Sequence, residues 1–495
     1  MICRTERKFW LAIAGILSLA AAHAEEEPKQ LGFPADATVH HSIHLGGRLL
    51  KYEATVGSLP VRDEQGKAIA TVMYISYVVP EHSRPVTFVL NGGPGASSAF
   101  LNLGALGPQH VQFGADGDSA SAAAEPSDNA GTWIDFTDLV FIDPVGTGYS
   151  QSQLEAREAR ARFYNPKADV DYLSRVVFDW LVKNGRLSAR KYLVGESYGG
   201  FRAPRMARLL QTRIGVGLSG MVLVSPYLDP GAFANDDLSP LPWIVTLPSI
   251  AAASLERQGK LTDAAMAEVI EYARGEYATD LLKGRSDPQG LERIVARVTA
   301  LTGLDSGYVR RMGGRLQVQA YLREVFHNEG KLGSRYDSTV STWDPFPFAP
   351  GQRTGDPILE GIVGPTTTAI VDFITRTVGW KYPGRYYALN YDVNEAWSDD
   401  DEKGEDNQRI VRGSVQELRQ SLAADPKMTA LIAHGWFDLD CPFMLSLLVL
   451  NQMPVMEGGA ARVQVKEYEG GHMFYSREAS RRAFREDARR MYSSR

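Results

Sequence analysis

Two cysteines in 495 residues are too few to build a disulfide framework. Cys3 lies in the apolar N-terminal stretch, so the rest of the chain holds only Cys441 and folds without an intramolecular disulfide. A core of this size is stable without such staples, and Cys441, in Asp440-Cys441-Pro442-Phe443 with no glycine-rich turn around it, reads as a small buried thiol. Basic excess is also missing. A net charge of −6 and an isoelectric point near 5.9 exclude the electrostatic footprint of a nucleic-acid or anionic-membrane binder. Beyond the N-terminus no apolar run approaches the roughly 20 residues of a membrane span, so no stable membrane association is expected. Internal repeats and long low-complexity tracts are lacking too, which excludes solenoid and fibrous architectures.

What remains is an ordinary globular composition, 44% hydrophobic and 23% charged. The length implies two domains or one core with a large insertion. Arg4, Arg7 and Lys8 precede an apolar stretch over residues 9–22, and Ala22-His23-Ala24 offers a small-x-small cleavage pattern. Residues 1–24 therefore read as a cleaved signal peptide of an exported protein, periplasmic or secreted. Cleavage takes the net charge to −8. The Pro/Glu/Lys segment at 25–36 reads as disordered.

From residue 37 the chain alternates strand-like and helix-like segments. Residues 51–56 and 68–79 are β-rich, and the short apolar runs 86–90, 139–142 and 192–194 have the character of strands buried on both faces. Val170, Leu173, Val176, Val177, Trp180 and Leu181 fall at helical spacing, with Asp169 where an N-cap would stand. Later strands are expected at 221–224, 430–433 and 463–468. Such alternation predicts an α/β fold with a mostly parallel central sheet flanked by helices. Residues 229–404 break the rhythm with helix-like segments at 261–274, 291–301, 316–326 and 366–377 and a Pro/Trp/Gly-rich connector at 341–357. They read as a helical cap inserted between a first core part, 37–228, and a second, 405–495. The acidic run 398–406 reads as the solvated exit loop of that cap.

Gly195-Glu196-Ser197-Tyr198-Gly199 follows one of these strands and precedes a helix-like segment at 201–211. That is the context of a nucleophile elbow, a sharp turn that lifts a serine hydroxyl above the sheet. A serine needs a base, and the base needs an orienting acid. In α/β-hydrolases they follow in the order Ser, Asp or Glu, His, in loops after later strands. Asp438 follows the strand 430–433, and His472 follows the strand 463–468 in Gly470-Gly471-His472. Of nine histidines, only His472 comes after Asp438. His434 also ends a strand but precedes the acid, and reads as a buried, hydrogen-bonded imidazole. Asp440 rivals Asp438, which stands closer to its strand. The glycine-dense run Asn91-Gly92-Gly93-Pro94-Gly95 after another strand can aim N–H groups at a developing oxyanion, with the Tyr198 N–H as second donor. His40-His41-x-x-His44 has no carboxylate or cysteine near it in sequence and reads as strand histidines rather than a metal cluster. Nothing in the sequence implies a metal or an organic cofactor.

Four ordered blocks together resemble the serine carboxypeptidase family (peptidase family S10), especially its bacterial members. They are Asn91-Gly92-Gly93-Pro94-Gly95-x-Ser97-Ser98, Asp143-Pro144-Val145-Gly146-Thr147-Gly148-Tyr149-Ser150, Gly195-Glu196-Ser197-Tyr198-Gly199-Gly200 and Gly471-His472-Met473. The resemblance implies an α/β-hydrolase with an inserted cap that removes C-terminal residues from peptides with a free C-terminus. It implies Ser197, Asp438 and His472 as catalytic residues, and Gly93 and Tyr198 as oxyanion donors. Asn91, Gly92 and Glu196 would bind the substrate's terminal carboxylate. Glu196 repels that carboxylate unless one of the two is protonated, so mildly acidic pH should favour binding. The family places a second glutamate just before a Gly-Pro; here Ala105 stands at that position, and the acid dependence should be weaker or differently set. An esterase, amidase or acyltransferase uses the same triad, and an idle binding protein could keep the same fold.

Overall fold

The apolar runs of the sequence become the middle of one twisted sheet. In the computed structural model its strands are β1 (Ala37–Leu45), β2 (Arg48–Arg62), β3 (Ala68–Val78), β4 (Val86–Leu90), β5 (Asp138–Ile142), β6 (Lys191–Glu196), β7 (Gly220–Val224), β8 (Thr429–Gly435) and β9 (Val463–Tyr468). Every residue of β4, β5, β6 and β7 is buried, which is why these segments read as continuous apolar runs rather than alternating ones. The order across the sheet is β1-β2-β3-β5-β4-β6-β7-β8-β9, with the short strand Gln151–Ser152 paired to β3. Pairing is antiparallel from β1 to β5 and parallel from β5 to β9. This is the α/β-hydrolase arrangement expected from the sequence.

The structure describes residues 32–493 except 82, 113–125, 234–238, 350, 399–412 and 455–461. The chain divides into two compact units, residues 1–33 and 34–495, and of the first only Gly32 and Phe33 are described. The expected signal peptide and most of the acidic exit loop thus lie outside the described residues.

Helix Pro166–Lys183 lays Leu173, Val177, Trp180 and Leu181 on the sheet, where Trp180 meets Tyr74 and Phe88 edge-on. Each large side chain buried this way contributes roughly 1.5–3 kcal/mol. The N-cap is Asn165, whose side chain accepts from Ala168 N, and not Asp169 as expected; Pro166 at the first helical position starts the helix one turn earlier. Asp169 is instead buried and paired with Arg202 Nε at 2.5 Å.

Between β7 and β8 the chain inserts a mostly helical segment. Helices Leu241–Arg257, Asp263–Tyr272, Pro288–Thr302 and Val318–Glu324 share a cluster around Ile250, Val269, Val298 and Tyr321. Two features depart from the expectation. Helix Leu241–Arg257 was not foreseen: it packs on two sides, against this cluster and against Phe437, Phe443 and Met444, and so has no single apolar stripe. A hairpin pairs Lys331–Gly333 with Ser341–Trp343 at the start of the connector, so the insertion is not purely helical. The helical stretch Pro357–Thr377 is long and apolar enough to cross a membrane, contrary to the sequence reading. Its Ile362, Ile370, Phe373 and Ile374 are buried in the protein, with Phe373 against Tyr77 of β3.

Candidate active site

All the proposed reacting groups sit beyond the C-terminal ends of parallel strands, where an open α/β sheet leaves a crevice. Asn91, Gly92 and Gly93 follow β4, Ser197 follows β6, Asp438 follows β8 and His472 follows β9. The register explains the meeting: Gly195 pairs with Leu90 of β4, and Glu196 with Val224 of β7, so the two loops leave the sheet side by side.

Ser197 occupies φ 58°, ψ −122°, a strained conformation that non-glycine residues rarely adopt. Its N–H bonds Val224 O at 2.9 Å and its carbonyl accepts from Tyr227 N at 3.0 Å, which hold the turn from both sides. As the residue preceding helix Tyr198–Leu209, it stands where the first N–H groups of that helix converge. The elbow closes only with glycine. A Cβ on Gly195 would stand 2.0 Å from Gly199 O, and one on Gly92 would stand 2.5 Å from Tyr198 N. Gly195→Ala is therefore expected to cost at least about 2 kcal/mol, read as a lowered denaturant midpoint. An unchanged midpoint would contradict the tight turn.

The acid and base are a bonded pair. His472 Nδ1 lies 2.8 Å from Asp438 Oδ2, both residues are buried, and Asp438 Oδ1 accepts from Asp440 N at 2.8 Å and Cys441 N at 2.9 Å. Nδ1 is thus committed to Asp438, and the Cys441 thiol also meets the ring. Burial disfavours the imidazolium, but the charge and hydrogen bond of Asp438 hold the His472 pKa well above its ordinary value. Asp440, the rival acid, is engaged elsewhere, by Arg335 Nη2 at 2.5 Å. His434 is fully buried with Nε2 2.8 Å from Ser446 Oγ, and burial depresses its pKa to about 3.

Asp440, Cys441 and His472 lie close enough to resemble a metal cluster. Their chemistry points elsewhere: Asp440 is paired, His472 is held by Asp438, and burial pushes the Cys441 thiol up to about 12. The triplet His40, His41 and His44 lies in edge strand β1, with His40 and His44 exposed.

Glu196 is buried beside the nucleophile. Asn91 Nδ2 donates to Oε2, and the Tyr475 hydroxyl lies 2.8 Å from Oε1 and 2.9 Å from Oε2. Burial raises the Glu196 pKa to about 7, against the opposing pull of His472 and of these two donors, while Asp438 adds to the rise. Asn91 is itself fixed: its Oδ1 accepts from Leu101 N at 3.0 Å, and its carbonyl accepts from Arg202 Nη1 at 2.7 Å. The Asp169–Arg202 pair thereby braces the glycine-rich loop from below. Asp143 supports the same loop by accepting from Ser98 N at 2.8 Å and from Tyr386 O–H at 3.0 Å. Sequence reading missed Arg202, Tyr386 and Tyr475. A basic residue opposite a lone buried acid was the one signal for Arg202; nothing marked the tyrosines.

Above Ser197 opens a cavity of about 630 Å³. Its floor includes Gly93, Ser197 and Tyr198, and its roof includes Trp243 and Leu316 from the cap. Its walls combine aromatic rings, Trp243, Tyr336 and Trp397, with the polar groups Gln317, Arg335 and Asn394.

Comparison with known proteins bears on the family and the fold. Residues 50–269 match the family model described as serine carboxypeptidase. The serine carboxypeptidase-like protein 44 of Arabidopsis thaliana is 30% identical over 160 residues, 30% of each chain. The pheromone-processing carboxypeptidase KEX1 of Yarrowia lipolytica is 28% identical over 224 residues, 45% of this chain and 34% of that one. The chain therefore matches only about a third of the length of these relatives. A crystal structure of the prohormone-processing carboxypeptidase KEX1(delta)p from Saccharomyces cerevisiae superposes with a TM-score of 0.56 at 16% identity. That superposition covers 90% of this chain and 91% of the other, and it shows a shared fold. Residues 50–269 thus resemble the serine carboxypeptidase family in sequence, and the described chain has an α/β-hydrolase fold.

Proposed function

We propose that the protein is a serine carboxypeptidase that removes C-terminal residues from peptides through an acyl-enzyme on Ser197. His472 takes the serine proton and returns it to the leaving amine, Asp438 orients the ring, and Gly93 and Tyr198 N–H groups stabilise the oxyanion. The observation that carries this reading over an esterase or amidase is the buried Glu196–Asn91 pair one residue from the nucleophile. A buried carboxyl group beside the serine has no use for an ester or amide end. Once protonated, it can donate to a terminal carboxylate, with the Asn91 amide and the Gly92 N–H beside it.

The test compares an N-blocked dipeptide acid with its C-terminal amide and with a simple ester. A hydrogen bond to a charged group is worth about 1.5–3 kcal/mol, so the acid should lead in kcat/KM by roughly 10- to 100-fold. The lead has a pH dependence of definite sign. Glu196 is neutral below about 7 and anionic above it, so the advantage should fall as pH rises through about 7. In Glu196→Gln that fall should vanish. Equal rates on acid and amide at every pH would instead favour the amidase reading. The basic and apolar N-terminal run supports an exported enzyme.

A further inference from the structure

Tyr475 is the least expected neighbour of Glu196. It lies fully buried in the turn Phe474–Ser476, three residues beyond His472, and its hydroxyl bridges both Glu196 oxygens. The turn is firmly held: Arg481 Nη1 donates to Tyr475 O at 3.1 Å, and Gln112 Nε2 donates to Ser476 O at 2.9 Å. It packs against the segment Asn102–Leu106, which carries Ala105. A buried methyl group at 105 brings no second carboxyl to this corner, and the phenol is the group that meets Glu196.

Resting on the carboxypeptidase reading above, we propose that Tyr475 is a specificity-determining positioning residue, whose hydroxyl fixes the Glu196 carboxyl for recognition of a substrate's terminal carboxylate. Two donors on different elements, Asn91 after β4 and Tyr475 after β9, bracket that carboxyl and fix its plane. When Glu196 is protonated, its O–H is thereby aimed at the substrate rather than free to rotate. Among the described residues, the groups that act on the Glu196 charge are His472, Tyr475, Asn91 and Asp438. The Tyr475 phenol has its pKa pushed far above the working range, by burial and by the Glu196 charge. The terminal carboxylate is therefore read through one titrating carboxyl group, with a neutral partner that cannot compete for its proton.

The test is Tyr475→Phe, which keeps the ring and removes the hydroxyl. Active sites are counted by fluorophosphonate titration of Ser197, so a misfolded fraction does not distort the comparison. KM for the N-blocked dipeptide acid is expected to rise by about tenfold, while kcat/KM for the simple ester stays within about twofold. Losing a hydrogen bond to the anionic form also favours the protonated form, so the alkaline fall on the acid substrate should move up by about one pH unit. A wild-type preference for the acid that survives unchanged in Tyr475→Phe, with the alkaline fall unmoved, overturns the role of Tyr475 alone. An equal loss on acid and ester assigns Tyr475 to general support of the elbow and overturns it too. A wild-type enzyme with no acid preference removes the carboxypeptidase reading, and this inference with it.

Discussion

Ser197→Ala is expected to lower kcat by about a million-fold and to abolish fluorophosphonate labelling, with the fold intact. The side chain stands at the floor of the cavity, and its burial supplies little of the core. The strained φ of 58° at this position belongs to the turn, and alanine meets the same backbone strain as serine. Stability should therefore change little, and binding of a peptide acid should persist, because Asn91, Gly92 and Glu196 are untouched. Residual hydrolysis near the wild-type rate would mean that another nucleophile operates. Cys441 could not supply it: its thiol, with a pKa pushed up to about 12, stays protonated at neutral pH.

Asp438→Asn should cost about ten-thousand-fold in kcat, and the hydrogen-bond pattern says why. Oδ1 of residue 438 accepts two backbone N–H groups, from Asp440 and Cys441, so the asparagine oxygen must take that place. Its NH2 group then faces His472 Nδ1, where the carboxylate now accepts. The ring is forced into the tautomer that carries its proton on Nε2, and it can no longer accept one from Ser197. Geometry is kept while the direction of proton transfer is blocked. The measurement is single-turnover acylation of the N-blocked dipeptide acid; a loss below about a hundredfold would show that Asp438 is not the group that sets the tautomer.

The placement of the proposed reacting groups was legible in the sequence because each part leaves a local mark. A strand buried on both faces reads as a short apolar run, a tight elbow demands glycine at fixed offsets, and chain order separates His472 from His434. Those marks placed β4 and β9 to the residue, and they placed Ser197, Asp438 and His472 beyond β6, β8 and β9. What was not legible depends on contacts between distant segments. Arg202 and Asp169 lie 33 positions apart in sequence and Tyr475 and Glu196 lie 279 apart, and neither partnership has a periodic signature. Asp169 was misplaced as a helix cap for the same reason: its acid character was visible, but its partner was not. Helix Leu241–Arg257 was lost because burial on two sides erases the amphipathic stripe that marks a surface helix.

The supporting residues share a logic. Arg202 and Asp143 hold the loop that presents Asn91 and Gly93, and Tyr475 holds Glu196. None of them reacts; each keeps a donor or acceptor aimed before the substrate arrives. Preorganisation of this kind is where most of the electrostatic contribution to catalysis resides.

The central claim is that this site reads a free C-terminus and cuts one residue from it. The most direct test follows a decapeptide and its C-terminal amide by mass spectrometry, with wild-type protein and Ser197→Ala side by side at about pH 7, where Glu196 is partly protonated. The account predicts a ladder of products, each shorter by one C-terminal residue, from the free acid with wild-type protein. The amide should lag far behind, and Ser197→Ala should give no ladder. Internal cuts, or acid and amide shortened at equal rates, would contradict it.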